Sequence, residues 1–269
     1  MTPCRTAAVD RAVGTATMFH VKPAAAAEPL DFAACVGAAV ARLLERFDFV
    51  PPPSLLPRLE RFAATLHRWG QRTNLTAAPT DPSAVAFHIA DSLAPLILAG
   101  HPPLTAAFTR ATSALDLGSG AGFPGLILAA ATEGSFTLLE RRRKRVSFLR
   151  VAAAAMELTN VRIASALDDL AEVGGQLRAQ VSDQVNRRVG YDLAGYDLAL
   201  ARAFANPAEV FPIAARVIRP TGRLILYLTS AQSVPAPPPG FATAGSLSYS
   251  LPRDNGAFQG RLLIVRRRD

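Results

Sequence analysis

Four glycines fall within eight residues in the run ALDLGSGAGFPGL, which spans Ala114 to Leu126. A stretch so rich in glycine is a turn, because glycine weakens helix and strand interiors but accepts the backbone angles that turns require. Its flanks are apolar: Ser113–Leu117 reads as a strand entering the turn, and Gly122–Ala131 as the helix it opens. Such a turn brings backbone amides close to a ligand. Dinucleotides, phosphates and S-adenosylmethionine are all held on turns of this kind.

The alternation continues downstream. Phe136–Leu139 reads as a strand ending at Glu140, Lys144–Leu158 as a helix, and Val161–Ala164 and Tyr196–Ala201 as strands. Pro207–Val217 is a helix, Gly222–Leu228 a strand, and Ser246–Ser250 with Arg261–Arg266 a final hairpin. Strands separated by helices imply an α/β fold with a doubly wound, mostly parallel sheet and a ligand at the carboxyl ends of the first strands.

Upstream the period is helical. Phe32, Val36, Val40, Leu43, Leu44 and Phe47 predict a helix from Leu30 to Phe49, stopped by Pro51, Pro52 and Pro53. Ser54 is placed to cap a second helix, whose Leu55, Leu59, Phe62, Leu66 and Trp69 form one stripe, with Phe62 and Trp69 read as core. A third helix follows the Asp81-Pro82 start signal, from Ser83 to Leu98. The chain therefore divides into a disordered tail over 1–29, a helical subdomain over 30–110 and a Rossmann-like domain over 111–269. Residues 174–195 read as an insertion and 235–239 as a proline-rich surface loop.

Charge narrows the partner. The chain of 269 residues has 29 Lys and Arg against 21 Asp and Glu, a formal charge of +8 and a sequence pI near 10.4, which suits a polyanion. Cys4 and Cys35 are too few for a disulfide scaffold or a cysteine-ligated metal, and no apolar run is long enough for a membrane span. A monomer in the reducing cytoplasm, without metal or membrane, is expected.

Gly120-Ala-Gly122-Phe-Pro-Gly125 formally matches the dinucleotide pattern G-x-G-x-x-G, so an NAD(P)-dependent oxidoreductase is one reading. Two residues oppose it. Asp116, just before the first glycine, would repel a pyrophosphate but suits a cationic sulfonium that also carries an ammonium group. Pro124 removes a backbone amide where a phosphate wants donors. Glu140, about 20 residues beyond the turn, can accept both ribose hydroxyls of an adenosyl ligand. Together these residues describe an S-adenosylmethionine site.

Other candidates bear on the substrate. His88, Asp91 and Ser92 share a helical face and either line a target pocket or pack as hydrogen-bonded residues. Asn74 either contacts RNA or holds its own loop by backbone bonds. Arg141, Arg142, Arg143, Lys144 and Arg145 form a basic run beside the presumed site, placed to meet phosphates. A non-catalytic RNA-binding protein on the same fold is the remaining alternative.

The sequence resembles the bacterial glucose-inhibited division protein B family, the 16S ribosomal RNA guanine-N7 methyltransferases. The resemblance rests on RWGQRTNLTA (68–77), FHIADSL (87–93), LDLGSGAGFPGL (115–126), FTLLERRRKRVSFLR (136–150) and LARAFA (200–205), in order over residues 30–266. It implies a class I S-adenosylmethionine-dependent methyltransferase fold, with 16S ribosomal RNA or the 30S subunit as partner. It also implies cofactor contacts by Gly118, Phe123, Leu167, Asp168 and Arg202, the last gripping the cofactor carboxylate or an RNA phosphate. Two positions depart from the family pattern: Phe87 stands where a basic residue usually precedes the histidine, and Thr229-Ser230 where a lysine is common.

The target atom follows from what is absent. The stretch after the fourth strand reads ARAFANP, not the Asn/Asp-Pro-Pro-aromatic run of exocyclic-amine methyltransferases. Neither cysteine lies near the cofactor motifs, as carbon-5 methylation would need. A ring nitrogen such as guanine N7 has a ready lone pair and asks only for orientation.

Overall fold

The computed structural model describes residues 29–47, 49–165, 195–253 and 256–268. The tail up to residue 28, Leu167, Asp168 and all of the expected insertion except Gly195 lie outside the described residues.

Four helices come first: α1 (Pro29–Leu44), α2 (Leu55–Gly70), α3 (Pro82–Ser92) and α4 (Ala94–Ile97). α1 stops short of the expected Phe49 because its end tightens into i→i+3 bonds, Arg46 N–H to Leu43 O and Phe47 N–H to Leu44 O. Ser54 does not cap α2. Its backbone is already helical, a turn closed by Leu55 N–H on Pro52 O, and its hydroxyl bonds no helix amide. Asp81 does cap α3, accepting from the N–H groups of Ser83 and Ala84 at 2.9 and 3.3 Å, with Pro82 opening the helix. The expected single helix to Leu98 is broken at Leu93, since Pro95 has no N–H to continue the ladder.

The remaining chain is β1 (Ser113–Leu117), α5 (Gly125–Ala131), β2 (Ser135–Leu139), α6 (Arg143–Ala155), β3 (Val161–Ala164), β4 (Tyr196–Arg202), α7 (Pro207–Val217), β5 (Ile218–Thr229), β6 (Phe241–Arg253) and β7 (Gly256–Arg267). The sheet runs β3-β2-β1-β4-β5-β7-β6. β1 to β5 are parallel, and β7 is antiparallel to both neighbours. This bears out the doubly wound, mostly parallel sheet, and β6–β7 is the expected hairpin with longer arms. The order reverses between β1 and β4, which opens a crevice at their carboxyl ends.

Strand alternation sorts the core. Leu115 and Leu117 of β1 face one side, in the cluster that holds Val210, Phe211 and Ala214 of α7. Ala114 faces the other side, where one continuous cluster joins α5 and α6 to Phe32, Val36, Leu59 and Phe62 of the first helices. Asp116, being of the same parity as Ala114, is turned toward the start of α5. Among the described residues no helix is long and apolar enough to cross a membrane.

Candidate active site

The glycine turn connects β1 to α5. Gly118, Gly120 and Gly122 have φ of +71°, +56° and +92°, so α5 cannot begin at Gly122 as expected and starts at Gly125. Gly118 lies under the Phe204 ring, which a Cβ would strike. Gly125 packs against β1, where a Cβ would come within 2.6 Å of Asp116 Cβ. At Gly120 the space is open, with no atom nearer than Arg145 Nη1 at 3.7 Å.

Three amides of this turn are already bonded within the protein. Ser119 N–H donates to Leu139 O at 3.0 Å, Gly120 N–H to Glu140 Oε2 at 3.0 Å and Gly122 N–H to Ser119 O at 2.7 Å. The backbone is pinned from within, so a pyrophosphate would find these donors taken.

Asp116 is fully buried. Its Oδ2 accepts the Gly125 N–H at 3.1 Å, while Oδ1 has no hydrogen-bond partner. Burial pushes its pKa up from 3.8 to about 6, against the opposing pull of Ser119, the Gly125 amide and the Arg202 guanidinium. A buried carboxylate oxygen without a donor carries an uncompensated desolvation cost. A cationic ligand group would remove that cost, and a phosphate would raise it.

Glu140 closes the other side. Besides Gly120, it accepts the Arg142 N–H at 2.8 Å through Oε1. Each oxygen so keeps a further lone pair. Arg145 lies 3.9 Å from Oε2 and donates to the Asn74 backbone carbonyl at 3.4 Å. The structure therefore separates Arg145, folded inward, from Arg141, Arg142, Arg143 and Lys144, which are exposed. Asn74 is exposed, and its carbonyl rather than its side chain ties its loop to α6.

A buried polar hub stands across from the turn. Arg202, at the end of β4, donates through Nε to Asp91 Oδ2 at 2.7 Å and meets His88 Nδ1 at 2.9 Å through Nη2. The Tyr249 hydroxyl from β6 donates to Asp91 Oδ1, and the Tyr227 hydroxyl from β5 to the Ser92 carbonyl at 2.9 Å. Burial first, then Arg202, lowers the His88 pKa from 6.5 to about 4, so the ring is neutral at pH 7 and Nδ1 accepts from Arg202. Burial and then the nearby acid and tyrosine charges raise both tyrosines above their usual range, so they remain donors. His88 lies against Phe123 of the turn, with ring centroids 5.3 Å apart, and Phe123 rests edge-on over Phe62 at 5.4 Å.

Asp116, Gly118, Gly120, Gly122, Phe123, Glu140, His88, Asp91 and Arg202 are thus brought to one carboxyl edge of the sheet. Phe62 is core, as read, and Trp69 packs on Phe148. Asp91 and Ser92 are fastened into the hub rather than open to a pocket, whereas His88 also borders a groove. Tyr227, Tyr249 and Phe204 escaped sequence reasoning. Tyr249 and Tyr227 sit among alternating strand residues with nothing local to mark their reach, and Phe204 follows Ala203, whose φ of +52° turns the chain back over Gly118.

Comparison with known proteins identifies the family. The profile of the GidB family, rRNA small subunit methyltransferase G, matches residues 55–234. The ribosomal RNA small subunit methyltransferase G of Anaeromyxobacter sp. (strain Fw109-5) is 34% identical over 193 residues, 71% of this chain and 77% of that protein. Its namesake in Myxococcus xanthus (strain DK1622) is 33% identical over 179 residues, 66% of this chain and 70% of that one. Among solved structures, TrmN from Thermus thermophilus is similar over 78% of this chain and 53% of that one, with 22% identity and a TM-score of 0.44.

Proposed function

This chain belongs to the rRNA small subunit methyltransferase G family, and on that premise we propose that it transfers a methyl group from S-adenosylmethionine to N7 of a guanine in 16S ribosomal RNA. The observation that carries the cofactor is the turn itself: the Ser119, Gly120 and Gly122 amides are bonded inside the protein, while the buried Asp116 Oδ1 lacks a donor. That chemistry suits a cationic sulfonium and ammonium ligand and does not suit NAD(P).

Asp116 would hold the cationic end. Gly118, Gly120 and Gly122 would let the backbone approach, with the open space over Gly120 as room. Glu140 would accept ribose hydroxyls on its remaining lone pairs, Phe123 would flank the ligand, and Leu167 and Asp168 would meet the adenine. When bound, S-adenosylmethionine supplies an electrophilic methyl group on sulfur.

The chain's own part is orientation. Guanine N7 needs no deprotonation, and His88, neutral at pH 7, can position a base by hydrogen bonding without adding charge. A free guanidinium would oppose both the sulfonium and the methylated product cation. The ion pair with Asp91 offsets Arg202 and leaves its outer edge for a carboxylate or phosphate. Arg141, Arg142, Arg143 and Lys144 would take RNA phosphates, whereas Asn74 and Arg145 would act by bracing α6 against its loop. The reading takes the enzyme as a cytoplasmic monomer acting on 16S RNA or the 30S subunit, with no metal, since N7 is nucleophilic without one.

The test is transfer of tritiated methyl from S-adenosylmethionine to 16S RNA and to 30S subunits lacking the modification. Label is expected at N7-methylguanine, revealed by base-specific reduction and chain cleavage. Label at any other atom, or none on either substrate, refutes the proposal.

A further inference from the structure

A second surface lies beside the hub and shares His88 with it. α1, the start of α3, the end of β5 and the β6–β7 hairpin enclose a groove of about 1030 Å³, at the upper end of the ~300–1,000 Å³ usual for ligand pockets. Its walls carry Arg42 from α1, Arg46 from the turn after it, Arg253 from β6, Gln259 from β7, Thr229 at the end of β5 and Ser230 beyond it. Asp81 is the sole carboxylate among the described lining residues, and it is occupied in capping α3.

Arg253 is held in an unusual way. Its guanidinium lies 3.7 Å above the buried Phe87 ring and 5.3 Å from Phe258, and among the described residues it has no acidic partner. Stacking holds the guanidinium in place, and among the described residues no hydrogen bond takes up its N–H groups, a presentation that suits a phosphate. Arg42 and Arg46 are exposed and likewise without an ion pair among the described residues. Three cations thus face one cavity whose described lining holds no carboxylate besides the α3-capping Asp81.

The groove also leads to the reacting centre. His88 lines it, and the other side of the hub is Phe123 of the glycine turn. Thr229 pairs with Gly260 of β7, which puts the hairpin tip at the same carboxyl edge as the turn. Arg141–Lys144 follow β2 on the opposite flank. A polyanion crossing the edge would meet cations on both sides of His88.

We propose that this groove binds a single-stranded RNA segment next to the target base, with Arg253, Arg42 and Arg46 on its phosphates; this rests on the reading of the chain as an RNA methyltransferase. A single strand is favoured because a pocket of this size admits a few splayed nucleotides, whereas duplex RNA is met by broad contacts across its shallow groove.

The experiment compares wild type with Arg42→Gln/Arg46→Gln/Arg253→Gln and with Phe87→Leu. Filter binding to 16S RNA is measured between ~50 and ~200 mM salt, alongside methyl-transfer kinetics. The triple variant should raise KM for RNA several-fold, with the loss in KM rather than kcat. Its log–log salt slope should flatten by ~0.7 for each lost contact. Phe87→Leu, checked for folding by circular dichroism, should reproduce the Arg253 part of the effect. A single-stranded oligonucleotide should compete better against wild type than against the triple variant, and a duplex should compete equally with both. An unchanged slope and KM in the triple variant, or preferential loss of duplex binding, overturns the proposal. Failure of the functional reading shows separately, as wild type that binds RNA through the groove but transfers no methyl group to it.

Discussion

At the residue scale, Asp116 and His88 titrate in opposite senses. Asp116 has its pKa raised from 3.8 to about 6, so its contribution to stability is fully present below 3.8 and lost as pH rises through about 6. His88 has its pKa lowered from 6.5 to about 4, so its contribution is present above 6.5 and lost as pH falls toward about 4. Over the shared window the two oppose each other. Asp116→Asn removes the first, on the order of 3 kcal/mol for a shift of that size, and leaves the second. Urea midpoints of the variant should then fall more steeply than wild type between pH 6.5 and pH 4; parallel curves would contradict the pairing. Because a cation at Oδ1 needs the ionised acid, S-adenosylmethionine affinity should also rise with pH through about 6 in wild type and stay flat in Asp116→Asn.

At the scale of elements, α3 is fastened to the sheet by polar bonds, and one glycine makes this possible. Gly260 on β7 is the register partner of Tyr249 on β6, and the tyrosine ring lies across it. A Cβ there would come within 2.6 Å of Tyr249 Cε2 and Oη. Gly260→Ala should therefore displace the ring, free Asp91 and disorder Arg202, costing ~1–3 kcal/mol of stability as an overpacked site does. In Tyr249→Ala the obstacle is gone, so the double variant should cost less than the sum of the two single changes. Strict additivity in urea unfolding would show that the glycine serves some other purpose.

For the whole molecule, the formal charge of +8 matters through its placement. Exposed Arg141, Arg142, Arg143 and Lys144 lie on one flank of the carboxyl edge, and Arg42, Arg46 and Arg253 on the other. Arg141→Gln/Arg142→Gln should weaken 16S RNA binding and flatten the salt slope by ~0.7 per lost single-strand contact. S-adenosylmethionine affinity should hardly change, since the Arg142 bond to Glu140 comes from the backbone. Arg145→Gln should do the reverse, disturbing cofactor affinity more than the salt slope, because Arg145 turns inward to Glu140 and the Asn74 carbonyl. If the two variants behave alike, the run acts as one solvated face.

What the sequence determined by itself was local. The strand–turn–helix at 113–131 follows from apolar periodicity broken by glycines, the start of α3 from Asp81-Pro82, and the doubly wound sheet from alternating strands and helices. Asp116 and Glu140 were legible as candidate site acids because one lies a residue before the end of β1 and the other directly follows β2. Their bonding was not. That the Ser119, Gly120 and Gly122 amides bond internally, and that Oδ1 of Asp116 is left without a donor while Oδ2 has one, depends on how β1, β2 and α5 meet. Arg202 could be singled out, but its partner Asp91 lies 111 positions away, and Tyr249 is 158 from the same carboxylate. Arg253 is equally remote from the Phe87 ring that holds it. Propensity and periodicity act over a few residues, whereas these contacts exist only once the sheet has closed its register and brought distant strands against α3.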